Sequence, residues 1–123
     1  MALTTAGRNH MLGLNLGEAL TPFNNANAHI AVGNGVVAFS AADTDLGGAS
    51  KARKAMDATY PTRAANVVTY RSTFATADAN FSWDEEGSAN AAVAGVMQTR
   101  VVSAMGVKTS SATWQLTLTV TFS

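Results

Sequence analysis

The stretch Thr113–Ser123, TWQLTLTVTFS, decides the fold class. Trp114, Leu116, Leu118, Val120 and Phe122 alternate with Gln115, Thr117, Thr119, Thr121 and Ser123. A period of two is the mark of a half-buried β-strand, because successive side chains point to opposite faces. Each large apolar side chain on that one face contributes roughly 1.5–3 kcal/mol when buried. A whole domain is stable by only about 5–15 kcal/mol. The stretch is therefore expected to pair inside a sheet, in its own subunit or a neighbour's, although chain ends ordinarily fray. Its Thr-rich face suits a second interface or solvent.

Working back from that strand, the chain stays β-rich. GVMQTRVVSAMGVKTSS predicts one or two strands broken near Gly106. ANFSWDEEG sets Phe81 and Trp83 on one face, with Ser82 and Asp84 on the other. NVVTYRSTFAT alternates, with Val68, Tyr70 and Phe74 on one face. Short strands separated by turn signals predict an antiparallel β-sandwich or barrel. KARKAMDATYPTR is ambiguous: alanine and lysine favour helix with Ser50 as a cap, and a strand ended by Tyr60-Pro61 is the alternative. AHIAVGNG predicts a strand entering a tight hairpin turn at Asn34-Gly35. Near the start, LTTAGRNHMLGL has the three-and-four spacing of a helix, with Thr4 or Thr5 as its cap. The expectation is one domain over residues 1–123, with a short helix at about 4–14 and β structure from about 28 to 123.

Composition narrows the function. Lysine plus arginine balances aspartate plus glutamate at 8 each, so no global charge draws nucleic acid or an anionic membrane. Only 13% of residues are charged, against about 25% in an average soluble domain. Weak charging of that kind favours association. Cysteine is absent, which removes disulfides and thiolate chemistry. The opening residues lack a signal-peptide layout, and no apolar run reaches the roughly 18 residues of a membrane span.

The chemistry-bearing residues are few. His10 and His29 lack the spacing of a metal pair. Gly33-Asn34-Gly35 is too short for a phosphate cradle, and no serine sits in a nucleophile elbow. Lys51, Arg53 and Lys54 form the one basic cluster, and Asp84, Glu85 and Glu86 the one acidic cluster. In a strand, Asp84 and Glu86 share a side and Glu85 faces the other. A solvated turn or an intersubunit salt bridge is the expected use of the acids. The cations are expected at an acidic protein surface or in solvent. These six residues are the candidate interface, with one subunit's cations meeting the next one's acids. No enzyme activity and no cofactor are expected. Tyr60, Tyr70, Trp83 and Trp114 leave a carbohydrate-binding module as an alternative of another class.

The order LTTAGRNHMLGL, HIAVGNG, TDLGGASKARKAM, NVVTYRSTF and ANFSWDEEGSANAAVAGVMQTR resembles small bacteriophage virion proteins. It is similar to the N-terminal domain of phage tail-collar fibre proteins, over about Leu3 to Arg100. The resemblance implies that KARKAM is a strand and that Glu86-Gly87 is a structural turn. This sequence departs from the pattern at GSANA, where a bulky apolar residue is expected after the glycine, and no fibre follows Ser123. The resemblance implies a virion structural protein made in the host bacterial cytoplasm. A capsid-decorating or minor capsid protein is the leading form, with a tail or baseplate collar component as the alternative. Its implied partners are the major capsid protein or other virion proteins and further copies of itself, for example as a trimer, with no nucleic acid and no membrane.

Overall fold

The structure, a computed structural model, describes residues 2–123. It is mainly β, with two antiparallel sheets and one short helix. Strand β1 (Ala2–Leu3) leads into helix α1 (Thr5–Asn15). Seven strands follow: β2 (His29–Gly33), β3 (Lys51–Ala55), β4 (Thr62–Ala64), β5 (Val67–Phe74), β6 (Ser82–Ala89), β7 (Met97–Val107) and β8 (Trp114–Thr121). The larger sheet runs β1-β7-β6-β2-β3 and the smaller one β4-β5-β8.

The two sheets bury a common core. Ile30 and Val32 from β2 and Trp83 from β6 meet Tyr70 and Phe74 from β5 and Leu118 and Val120 from β8. The closing strand behaves as its alternation predicts. Trp114, Leu116, Leu118, Val120 and Phe122 all join this core, while Gln115, Thr117, Thr119 and Thr121 are exposed. It pairs with β5 without interruption from Val67 opposite Thr121 to Phe74 opposite Trp114. Trp83 packs edge-on between Phe74 and Trp114, with ring centroids 4.7 and 5.0 Å away. Its indole N–H donates to the Ala79 carbonyl.

The helix forms where the three-and-four spacing places it, and Thr4 caps it by accepting from the Gly7 amide. The Thr4 hydroxyl also donates to the Met97 carbonyl, which ties the cap to β7. Gly7 lies against β7 so closely that an added Cβ would stand 2.6 Å from the Gln98 Cα. The ambiguous KARKA segment is β3, as the resemblance implies.

Two turns predicted from sequence are absent. Asn34-Gly35 does not close a tight hairpin. β2 and β3 do pair, but residues 34–50 form a long loop between them. The Gly35 amide is taken up by the Glu85 carboxylate, so the chain turns away from its partner strand there. Glu86-Gly87 is not a turn either, because both residues lie inside β6. Gly87 serves close strand approach instead: a Cβ there would meet the Thr99 carbonyl oxygen at 2.2 Å. β7 also runs through Gly106 rather than breaking, with that glycine at φ +108°.

Candidate functional site

The acidic cluster divides between two faces of β6. Ile30 pairs with Ser88 and Val32 with Glu86, which turns Glu86 toward the space between the sheets. Gly33 pairs with Glu85, which turns Glu85 to the outer side, beneath loop 34–50. A register shift between Trp83 and Glu85 lets the indole and the carboxylate occupy opposite sides despite their even spacing.

Glu85 is fully buried. One carboxylate oxygen accepts from the amides of Gly35 at 3.1 Å and Gly48 at 2.7 Å. The other accepts from the Gly47 amide at 3.0 Å and from the Arg100 guanidinium at 2.9 Å. Arg100, 2% exposed, continues to Asp43 at 2.8 Å and to the Val37 carbonyl at 2.7 Å. Burial works against a charge on Glu85, but the Gly47 and Gly48 amides and Arg100 outweigh it and hold the carboxyl below its usual pKa. The amides of Gly35, Gly47 and Gly48 thus cradle an anion, and the anion is the chain's own. The expectation that Glu85 faces a partner is corrected here: no part of it reaches the surface. Its four hydrogen-bonded neighbours come from a loop and from β7, so intramolecular bonding satisfies it.

Glu86 is the counterpart without a partner. Its Oε2 is buried and finds no donor among the described residues. Desolvation raises its pKa. Nearby, Ser88 and Tyr70 both donate to the Gln98 side-chain carbonyl, at 2.9 and 2.8 Å. Burial pushes the Tyr70 hydroxyl up to about 12, although its bond to Gln98 opposes the shift.

The basic cluster also finds its partners within the chain. Lys51 Nζ lies 2.7 Å from Asp45, and Lys54 Nζ lies 2.7 Å from Asp78. Arg53 donates to the Ala91 and Ala94 carbonyls at 2.8 and 2.7 Å and reaches Asp45 at 3.2 Å. These contacts close a recess of about 180 Å³ lined by Ala31, Asp45, Leu46, Arg53, Val93 and Ala94. None of the three cations meets the Asp84–Glu86 cluster, so the structure keeps the two clusters apart. Each cation has an intramolecular carboxylate: Asp45 for Lys51 and Arg53, Asp78 for Lys54. Lys51 and Lys54 remain about 40% exposed at their side chains.

His10 and His29 each bond a different backbone carbonyl, Thr21 at 2.7 Å and Asn27 at 2.8 Å. Among the described residues, no three His, Cys, Asp or Glu side chains gather as a metal-binding group. Trp83 is 1% exposed, so it offers no open ring to a sugar. Trp114 is half-buried and lines a shallow recess with Met105 and Leu116.

Arg100, Asp43, Asp45 and Asp78 were not singled out from the sequence. They stand 15, 57, 8 and 24 positions from their partners Glu85, Arg100, Arg53 and Lys54 respectively, and nothing local marks them. Comparison with protein-family models, with curated proteins and with solved structures finds no match.

Proposed function

We propose that this chain is a structural component of a bacteriophage virion that acts by protein–protein contact, with capsid decoration or a minor capsid role as its leading form. One observation carries the contact part of this reading. Lys51, Arg53, Lys54 and Glu85 are spent on ion pairs within the chain, while Leu12, Leu16, Val36, Val37 and Val93 stand 59–83% exposed. Scattered apolar exposure is common on protein surfaces. Here it coincides with few charges and no net charge, a combination that favours association over solvation. Leu12, in the last turn of α1, and Leu16, its C-cap residue, are four positions apart at the same end of the helix. The virion part of the reading rests on the ordered motifs between Leu3 and Arg100.

Repeated weak contacts suit such a role, because symmetry multiplies them without any single contact being strong. The experiment is quantitative mass spectrometry and immunogold labelling on purified particles of the phage that encodes the chain. Hundreds of copies over the shell are expected. A handful at one vertex would transfer the reading to a tail or baseplate collar, and complete absence from particles would end it.

A further inference from the structure

The two sheets have four edge strands, β1, β3, β4 and β8, and these edges are not alike. β1 has two residues and β4 three. β3 carries Lys51, Arg53 and Lys54, and β5 already reaches over it: Ser72 donates to the Lys54 carbonyl and Asp57 N–H to the Arg71 carbonyl. β8 has eight residues and an unbroken register. From Thr109 to Ser123 the chain holds no charged residue and no proline. Sheet edges are ordinarily protected by charge, proline, a bulge or shortness, and β8 has none of these.

The direction of its backbone groups follows from its pairing. Phe122 N–H donates to the Asn66 carbonyl at 2.9 Å, which makes Phe122 and Asn66 a hydrogen-bonded pair. Antiparallel ladders alternate such pairs with unbonded ones. Trp114, Leu116, Leu118 and Val120 therefore aim their amides and carbonyls at β5. Gln115, Thr117, Thr119 and Thr121 aim theirs away from it. Asp57 donating to Arg71 on the far edge of β5 fits the same alternation, since Arg71 lies opposite Thr117. Among the described residues, no donor or acceptor meets these outward groups.

We infer that β8 pairs antiparallel with β8 of a second copy across a two-fold axis, joining two three-stranded sheets into one continuous sheet. A second copy fits because the edge is its own complement. The register centred on Leu118 sets Gln115 opposite the partner's Thr121 and Thr117 opposite the partner's Thr119. All four outward residues are then engaged on both copies, and Thr lies against Thr, a favourable cross-strand pair. No like charges oppose each other. The same register lays the partner's Phe122 opposite Trp114, beside the recess of about 390 Å³ formed with Met105 and Leu116. This pairing goes beyond the virion reading and does not depend on it.

The test uses the full chain. Sedimentation and light scattering at rising concentration are expected to show a monomer–dimer equilibrium insensitive to salt, because no charge takes part. The double variant Thr117→Lys/Thr119→Lys sets Lys against Lys across the axis, and Thr117→Glu/Thr119→Glu sets Glu against Glu. Each alone is expected to lose the dimer while keeping its circular dichroism spectrum and melting temperature, since both positions are exposed. Mixing the two variants is expected to restore a one-to-one heterodimer that salt weakens. A wild-type chain that stays monomeric at about 1 mM, a dimer that survives the Lys pair, or a mixture that fails to pair would each overturn the assignment. Location in or out of phage particles is read separately.

Discussion

Arg100 and Glu85 hold each other where water reaches neither, and each has further bonds to spare. Removing one member of such a pair typically costs about 3–5 kcal/mol, because the other is left buried and charged. Arg100→Ala is expected to lower stability by that amount in urea unfolding, and Lys54→Ala, at an exposed ion pair, by under about 1 kcal/mol. Glu86 follows the opposite sign. Its raised folded-state pKa means the fold prefers the protonated form, so its contribution is present at low pH and is lost as pH rises through that pKa. Glu85 is lowered, so its contribution is present at neutral pH and is lost as pH falls through its folded-state pKa. Glu86→Gln is therefore expected to raise the melting temperature at pH 7, with the gain shrinking on acidification. A pH series of thermal melts on both chains checks this.

At the scale of elements, α1 and β8 show which structure is written locally. Alanine is a better helix former than glycine by about 1 kcal/mol, yet Gly7→Ala is expected to destabilise by roughly 1–3 kcal/mol. The new Cβ would run into the Gln98 backbone, which cannot move without disturbing β7. Chemical denaturation measures the sign, and a stabilised variant would refute the close approach. The helix, its cap to within Thr4 or Thr5, and the closing strand were legible because their signals lie within a few neighbouring residues. β3 was not legible from propensity, because its lysines and alanines favour helix and tertiary pairing with β2 overrides them. The loop at Asn34-Gly35 was misread for a related reason. A local turn signal lost to Glu85, 50 positions away from Gly35. The alternation of β6 did separate Glu85 from Glu86, but the register shift at Asp84 was not legible, and nothing in DEE shows which carboxylate is buried.

For the whole molecule, most of the clustered charge goes to internal bracing, while a few large apolar side chains outside the core stay exposed. That division makes a separable test of the contact surface. Replacing Leu12 and Leu16 together by Ser removes mostly exposed area, at 59% and 78% exposure, so stability is expected to change by only about 0.5 kcal/mol per site. Under the proposed function, incorporation of the variant into particles falls in competition with wild type, while its unfolding curve barely shifts. Lost stability instead would mean that the two leucines serve the fold. The candidate site as a whole was only half legible. The sequence identified which residues carry charge, but their partners depend on how the loops return over the sheet.

The carboxylate seated among Gly35, Gly47 and Gly48 also shapes what deuterium would report. These three amides belong to neither helix nor strand, a class of proton that normally swaps with solvent within moments. Here each is capped by a group that emerges only when the larger sheet opens. In an exchange experiment they are expected to rank with the slowest protons of β6, so an irregular segment would carry the protection pattern of a core strand.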